Sequence, residues 1–246
     1  MKAKKNARTI LYHAFVVIFG LIMIYPVIWM ILSTFKTKSE ILGANAPFLP
    51  TTWVWENYTN GWKGAGQYTF ATYFKNSIII SVLATLGTVI SSAMVSYSLA
   101  RVKFKGRKFW FTCMILTMLL PGQVLMIPQY IIWNNLGLVG TFVPMILPKF
   151  VGVPFFIYMM MQFIKGLPKE LDEAAMIDGC NPLQPFFGVV LPIMKPTCVT
   201  VAILQTMWIW NDYLLPYLVL DLKKYTTIPI AVQYLKGGYG SVDMGA

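Results

Sequence analysis

Few side chains in this 246-residue sequence are equipped for chemistry, and their placement argues against catalysis. The one histidine, His13, heads a long apolar run, where an interfacial residue fits better than a base. Cys113, Cys180 and Cys198 lack metal-ligand spacing. No G-x-x-x-x-G-K-[ST] loop is present to cradle nucleotide phosphates. No cofactor or metal is expected. Two polar constellations remain. One is the acidic run Glu170, Asp172, Glu173 and Asp178, with Ala174, Ala175 and Gly179. It sits in a stretch from Pro168 to Pro196 that lies between two apolar segments. The other is Gln205, Trp208, Asn211 and Asp212, within the last long apolar segment. An ionisable group inside a membrane span is costly and marks function, whereas the same group at headgroup level costs little. Both readings of Asp212 stand at this point.

The elements that hold these residues belong to a membrane protein. Hydrophobic residues make up 57% and charged residues 12%, against roughly 25% charged in soluble domains. Residues 9–35, 76–100 and 109–148 contain no Asp, Glu, Lys or Arg, and about 20 apolar residues cross a bilayer. Five spans are predicted: Ile10–Phe35, Asn76–Ala100, Phe109–Met126, Thr141–Gln162 and Pro196–Leu220. The first run is too long for a signal-peptide core and lacks a small-residue cleavage site. Basic residues fix the sidedness. Lys2, Lys4, Lys5 and Arg8 precede the first span. Arg101, Lys103, Lys105, Arg107 and Lys108 follow the second, and Lys165, Lys169 and Lys195 flank the segment after the fourth. The N-terminal segment 1–9 and the loop 163–195 are therefore expected in the cytoplasm. The net charge of +11 is explained by these loops meeting anionic lipid. Nucleic acid is excluded as a partner, because no soluble basic domain exists to hold it.

The cytoplasmic stretch reads as two short helices and a tight turn. Pro168 suits a first helical position. Leu171, Ala174 and Ala175 fall three and four apart and form a small apolar stripe. Gly179 can take the left-handed conformation that ends a helix. Asn181, Pro182 and Gln184 read as N-cap, first and third positions of the next helix. Three acids against Lys169 make this unlike a membrane-surface helix, whose polar face is usually basic. Such a hairpin is a natural docking surface.

The segment resembles the EAA loop of the binding-protein-dependent ABC importer permeases. That pattern is E-A-A, three residues, G, nine residues, I-x-L-P. Glu173, Ala174, Ala175 and Gly179 match it, Leu191-Pro192 close it, and Val189 stands in the Ile position. Three further runs extend the likeness to the carbohydrate-uptake members over nearly the whole chain. They are Phe48–Tyr58 with Pro50, Asn57 and Tyr58; Leu120–Pro144; and W-I-W-N-D-Y from Trp208 to Tyr213, followed by Pro216. The resemblance implies an all-α polytopic transmembrane domain of the type I importer fold over residues 10–246, in a bacterial inner membrane. It also implies a second permease of similar fold, two ATPase subunits that hydrolyse ATP, and an extracytoplasmic solute-binding protein. In its terms Glu170, Asp172, Glu173, Ala174, Ala175, Asp178 and Gly179 form the ATPase-coupling site, with Glu173 pairing to a basic residue of the ATPase groove. Gln205, Trp208, Asn211 and Asp212 have the aromatic and amide chemistry that a neutral, polyhydroxylated ligand needs.

Other readings stay open on particular segments. The aromatics of 36–75 fit either an interface belt or a docking surface for an external partner. The Pro and Gly of the run 120–144 break the helix at the outer face, which fits either a re-entrant packing loop or a segment lining the solute path. An ion-coupled secondary transporter would want inverted repeats and mid-span carboxylates; no clear repeat is visible, and Asp212 is the one acid within a span. Five spans with the N-terminus inside leave the C-terminus outside, where the resembled permeases keep six spans and both ends in the cytoplasm. Tyr225–Pro229 resembles the entry to their last external loop. The segment from Gly237 to Ala246 reads as the approach to a sixth helix, so the native chain is expected to continue.

Overall fold

The computed structural model describes residues 2–43, 46–63, 68–177, 179–181 and 184–237, and among them the chain is helical with no strand. It divides into two compact units, Met1–Ala71 with Val232–Ala246, and Thr72–Ala231. Asp178, Pro182 and most of the Gly237–Ala246 segment lie outside the described residues, as do the side chains of Glu173 and Ala175.

In the first unit, α1 (Lys2–Ser33) covers the first predicted span and carries Pro26 without ending there. Its apolar side chains from Ile10 to Ile31 are exposed all round, which a helix tolerates in lipid and not in water. Two short helices follow, α2 (Lys38–Leu42) and α3 (Glu56–Lys63). The loop between them folds back on the end of α1. Lys36 is fully buried, donates to the Pro47 carbonyl and sits 5.4 Å over the Trp29 ring. The Asn57 amide donates to the carbonyls of Thr34 and Lys36, each at 2.9 Å. Val54 N–H reaches the Phe35 carbonyl, and the Phe35 ring is packed among Trp53, Trp55 and Tyr58. Thus Asn57 and Tyr58 of the family-like run fold the loop itself. Trp53, Trp55 and Trp62 remain more than half exposed.

The second unit is built around α4 (Phe70–Arg101). Ser77, Ser81, Thr85, Thr88, Ser92 and Ser96 recur three or four apart along it and, with Asn76, are buried. This stripe supplies hydrogen bonds to irregular backbone elsewhere. Asn76 donates to the Thr226 carbonyl at 3.0 Å, and Ser77 accepts from Ile228 N–H at 2.9 Å. Ser91 donates to the Lys149 carbonyl, and Ser92 accepts from Val153 N–H. Non-helical backbone at membrane depth is tolerated where protein satisfies it, and α4 does so here. At Gly87 the Phe150 ring packs so closely that a Cβ would stand 2.5 Å from it.

The remaining spans are less regular than predicted. The third is not the continuous helix Phe109–Met126: α5 (Arg107–Met118) and α6 (Gly122–Asn135) meet at 103°. Pro121 lies at the break, and proline disfavours helix at the residue before it. At 1.5 Å per residue α5 covers roughly 18 Å, short of a ~30 Å hydrocarbon core. The fourth starts at Val143, with α7 (Val143–Ile146), a 3-10 turn (Leu147–Val151) and α8 (Pro154–Gly166) joined through Gly152 at φ +94°. Beyond it come α9 (Glu170–Ile177), a π turn (Phe186–Val190), α10 (Leu191–Ile193) and α11 (Lys195–Trp210). The fifth span breaks at Asn211–Tyr213, and α12 (Leu214–Val219) and α13 (Ile228–Gly237) follow. Three described helices are long and apolar enough to cross a bilayer, or five if each bent pair is one crossing.

Candidate functional site

The acidic run folds as the predicted hairpin, with one shift. Its first helix, α9, begins at Glu170 instead of Pro168, which stands just outside. Gly179 has φ +82°, the left-handed turn its spacing predicts. Among the described residues, no atom outside its chain neighbours lies within 4 Å of where a Cβ would be, so the backbone conformation is what favours glycine there. On the far side of the turn, Asn181 N–H donates to the Gln184 side-chain oxygen, and Gln184 N–H donates to the Asn181 carbonyl at 3.0 Å. That is the reach-back half of the predicted capping pair. The second arm then differs from a plain helix. It winds through the π turn, and Pro192, which has no N–H to give, follows two residues later. The chain bends by 67° into α11.

The hairpin is seated on a core shared by α4, α8, the π turn and α11. Phe156, Met160, Ile164, Phe186, Val190, Met194 and Val201 are buried with Ala93 and Tyr97. The Tyr97 and Phe186 rings stand 5.1 Å apart. Phe187 points the other way and is exposed.

A residue absent from the predicted site completes it. Arg101, the last residue of α4, has a side chain 8% exposed. Its Nη2 donates to the carbonyls of Ile164 at 3.0 Å and Leu167 at 2.7 Å, with Pro168 at 3.5 Å. Its Nε stands 3.0 Å from Asp172 Oδ2, whose side chain is 10% exposed. That approach is an ion pair without hydrogen-bond alignment, and neither Asp172 oxygen has another hydrogen-bond partner. The sequence reading counted Arg101 only as a marker of sidedness. Its place at the end of a charge-free span was visible, but nothing local signals a partner on α9.

Among its described side chains, α9 is inverted relative to a soluble helix. Asp172 is turned into the protein, whereas Glu170, Leu171 and Ala174 are exposed. Glu173 and Ala175 are placed by the helix only, since their side chains lie outside the described residues, as does Asp178.

The second constellation does not converge. Gln205 is 1% exposed and its Oε1 has no hydrogen-bond partner. Trp208 packs on Phe155 and Phe156 at 5.5 and 4.9 Å. Asn211 is exposed and donates back to the Met207 carbonyl at 2.7 Å. Asp212 is half-buried at the break, where its Oδ1 accepts from Leu215 N–H in the first turn of α12 at 3.4 Å. Thus Asn211 and Asp212 shape the interruption of the span.

Residues 92–236, which include α9, Gly179 and Arg101, match the family of binding-protein-dependent transport system inner membrane components. The chain belongs to this family. It is 36% identical to the arabinooligosaccharides transport system permease protein AraQ of Halalkalibacterium halodurans, over 89% of this chain and 78% of that protein. The diacetylchitobiose uptake system permease protein NgcG of Streptomyces coelicolor is 34% identical, over 95% of this chain and 77% of that one. Among solved structures, a bacterial ABC transporter involved in import of the acidic polysaccharide alginate shares the fold. Its TM-score is 0.78 at 24% identity, over 95% of this chain and 80% of that one. As a member of the family, the chain is a multi-pass membrane permease subunit and not an enzyme.

Proposed function

We propose that the chain forms half of the translocation pathway of an ATP-driven importer for a sugar or sugar oligomer. An extracytoplasmic binding protein delivers the solute, a second permease completes the pathway, and two ATPase subunits dock beneath it. The observation that carries this reading is the inverted α9. A short helix that buries Asp172 and presents Leu171, Ala174 and Glu170 outward is built to be covered by another protein. Its apolar outer face is small enough for a groove and too acidic for anionic lipid. Glu173 is assigned the charged contact with the ATPase, and Ala174 and Ala175 keep that contact close. The sugar class rests on the similarity to AraQ and NgcG, and on Trp208 and Asn211 as aromatic and amide groups exposed at the broken fifth span.

The N-terminus and the hairpin are assigned to the cytoplasm from the flanking Lys and Arg. A membrane-impermeant thiol reagent should therefore miss Cys180 in intact cells and label it in inside-out vesicles. Strong labelling in intact cells would remove the docking role. Reconstituted with its ATPase, second permease and binding protein, the subunit should accumulate a labelled neutral oligosaccharide only with ATP. Uptake that survives without the ATPase and collapses with a protonophore would contradict this function in favour of ion coupling.

A further inference from the structure

We propose that Arg101 is a positioning residue that transmits movement of the docked hairpin to α4. This rests on the coupling role assigned to α9. Three elements meet at one guanidinium. Arg101 is the end of α4, its Nη2 holds the carbonyls of Ile164 and Leu167 at the end of α8, and its Nε faces Asp172 on α9. These carbonyls stand at the negative dipole end of α8, where that of Ile164 also accepts from Leu167 N–H at 3.1 Å. A cation there is favoured, and a planar fork with donors on separate nitrogens meets the carbonyls and the carboxylate at once.

The joint is narrow. Between α8 and α9 only 167–169 intervene, and of the described acids on α9, Glu170 faces outward. Asp172 is therefore the charged handle by which α9 is held from inside. With both side chains nearly buried, a displacement of α9 that separated them would strand a carboxylate with no other hydrogen-bond partner. Moving α4 and the end of α8 along with α9 avoids that separation. The pair thus converts a push on the hairpin into a shift of the span behind it, and it leaves the outer face of α9 free for the ATPase.

The test uses the assembled transporter in proteoliposomes, with Arg101→Lys, Asp172→Asn and the double variant. Lysine keeps the charge but loses the fork. Both single variants should retain the ATPase subunits on purification. Stimulation of ATP hydrolysis by loaded binding protein, and solute imported per ATP, should fall on the order of tenfold. The double variant should fall no further than the worse single one, because both changes break the same joint. Asp172→Glu should keep more stimulation than Asp172→Asn, and it carries the test if Arg101→Lys does not accumulate. Wild-type stimulation in an assembled Arg101→Lys or Asp172→Asn transporter would overturn the joint. So would loss of the ATPase from the purified variants, which would make the pair part of docking and not of transmission. Gly179→Val run alongside separates the two claims: if it retains both the ATPase and transport, the coupling role of the hairpin fails, whatever the Arg101 variants do.

Discussion

Two buried cations close the ends of two long helices, and they do so differently. Lys36, just past α1, is fully buried: it gives one hydrogen bond to the Pro47 carbonyl, lies over the Trp29 ring and meets the Glu40 carboxylate only through space. Arg101, at the end of α4, holds carbonyls of α8 and a carboxylate of α9 together. The lysine pins one loop to its own helix. The arginine ties three elements. A basic residue at a span end thus marks sidedness and can also be the fastening of the loop that follows, and the number of elements it reaches sets what its loss costs.

Replacing each cation with an apolar residue of similar length is the sharpest way to break this contrast. Arg101→Met strands the buried Asp172 carboxylate and the α8 carbonyls, and should destabilise the subunit by about 3–5 kcal/mol. Lys36→Met loses one charged hydrogen bond and keeps the packing on Trp29, costing about 1.5–3 kcal/mol. Thermal or denaturant unfolding in detergent checks both; equal losses would erase the difference drawn here. Next in size is Asn57→Ala. Its amide joins the carbonyls of Thr34 and Lys36, so its removal should cost about 1–2 kcal/mol. The readout is faster proteolysis within 44–67, with cleavage near α9 unchanged.

The smallest effect is a pH dependence of the same loop. The Glu40 carboxyl is held below its ordinary value, first by the Thr37 N–H and then by the Thr51 N–H, each at 2.9 Å. A group whose folded pKa is depressed stabilises when ionised. Its contribution is fully present above the ordinary value of 4.5 and is lost as pH falls below that through the folded value. Amide exchange at Thr51 should lose protection on acidification in that window, and Glu40→Gln should remove the dependence.

The sequence carried the hairpin well because its signals are local. Gly179 was marked by spacing and turn chemistry, and the Asn181–Gln184 pair by capping chemistry. The first two spans were legible from charge-free windows, although α1 runs past the first at its N-terminal end and α4 past the second at both ends. The Pro and Gly of 120–144 announce a break, but the bounds Phe109–Met126 run through Pro121, because apolar composition continues there and does not show a 103° turn. The Arg101–Asp172 pair was out of reach, since an ion pair between distant segments leaves no periodicity. The scatter of Gln205, Trp208, Asn211 and Asp212 was hidden for another reason. Their chemistry suits one ligand, but the chain breaks at Asn211, and helical spacing ceases to relate them.

Gly179 offers the most direct test of the central claim, that the hairpin is the ATPase dock of a sugar-importer permease. Its φ is +82° and no described residue crowds a Cβ there, so the strain of substitution falls on the backbone. Valine strongly disfavours that conformation, and asparagine tolerates it. The measurement is uptake of labelled oligosaccharide together with ATPase co-purification, for Gly179→Val and Gly179→Asn at matched membrane levels. The expected result is loss of both uptake and co-purification with valine, and retention of both with asparagine. Normal uptake and normal co-purification by the valine variant would contradict the claim.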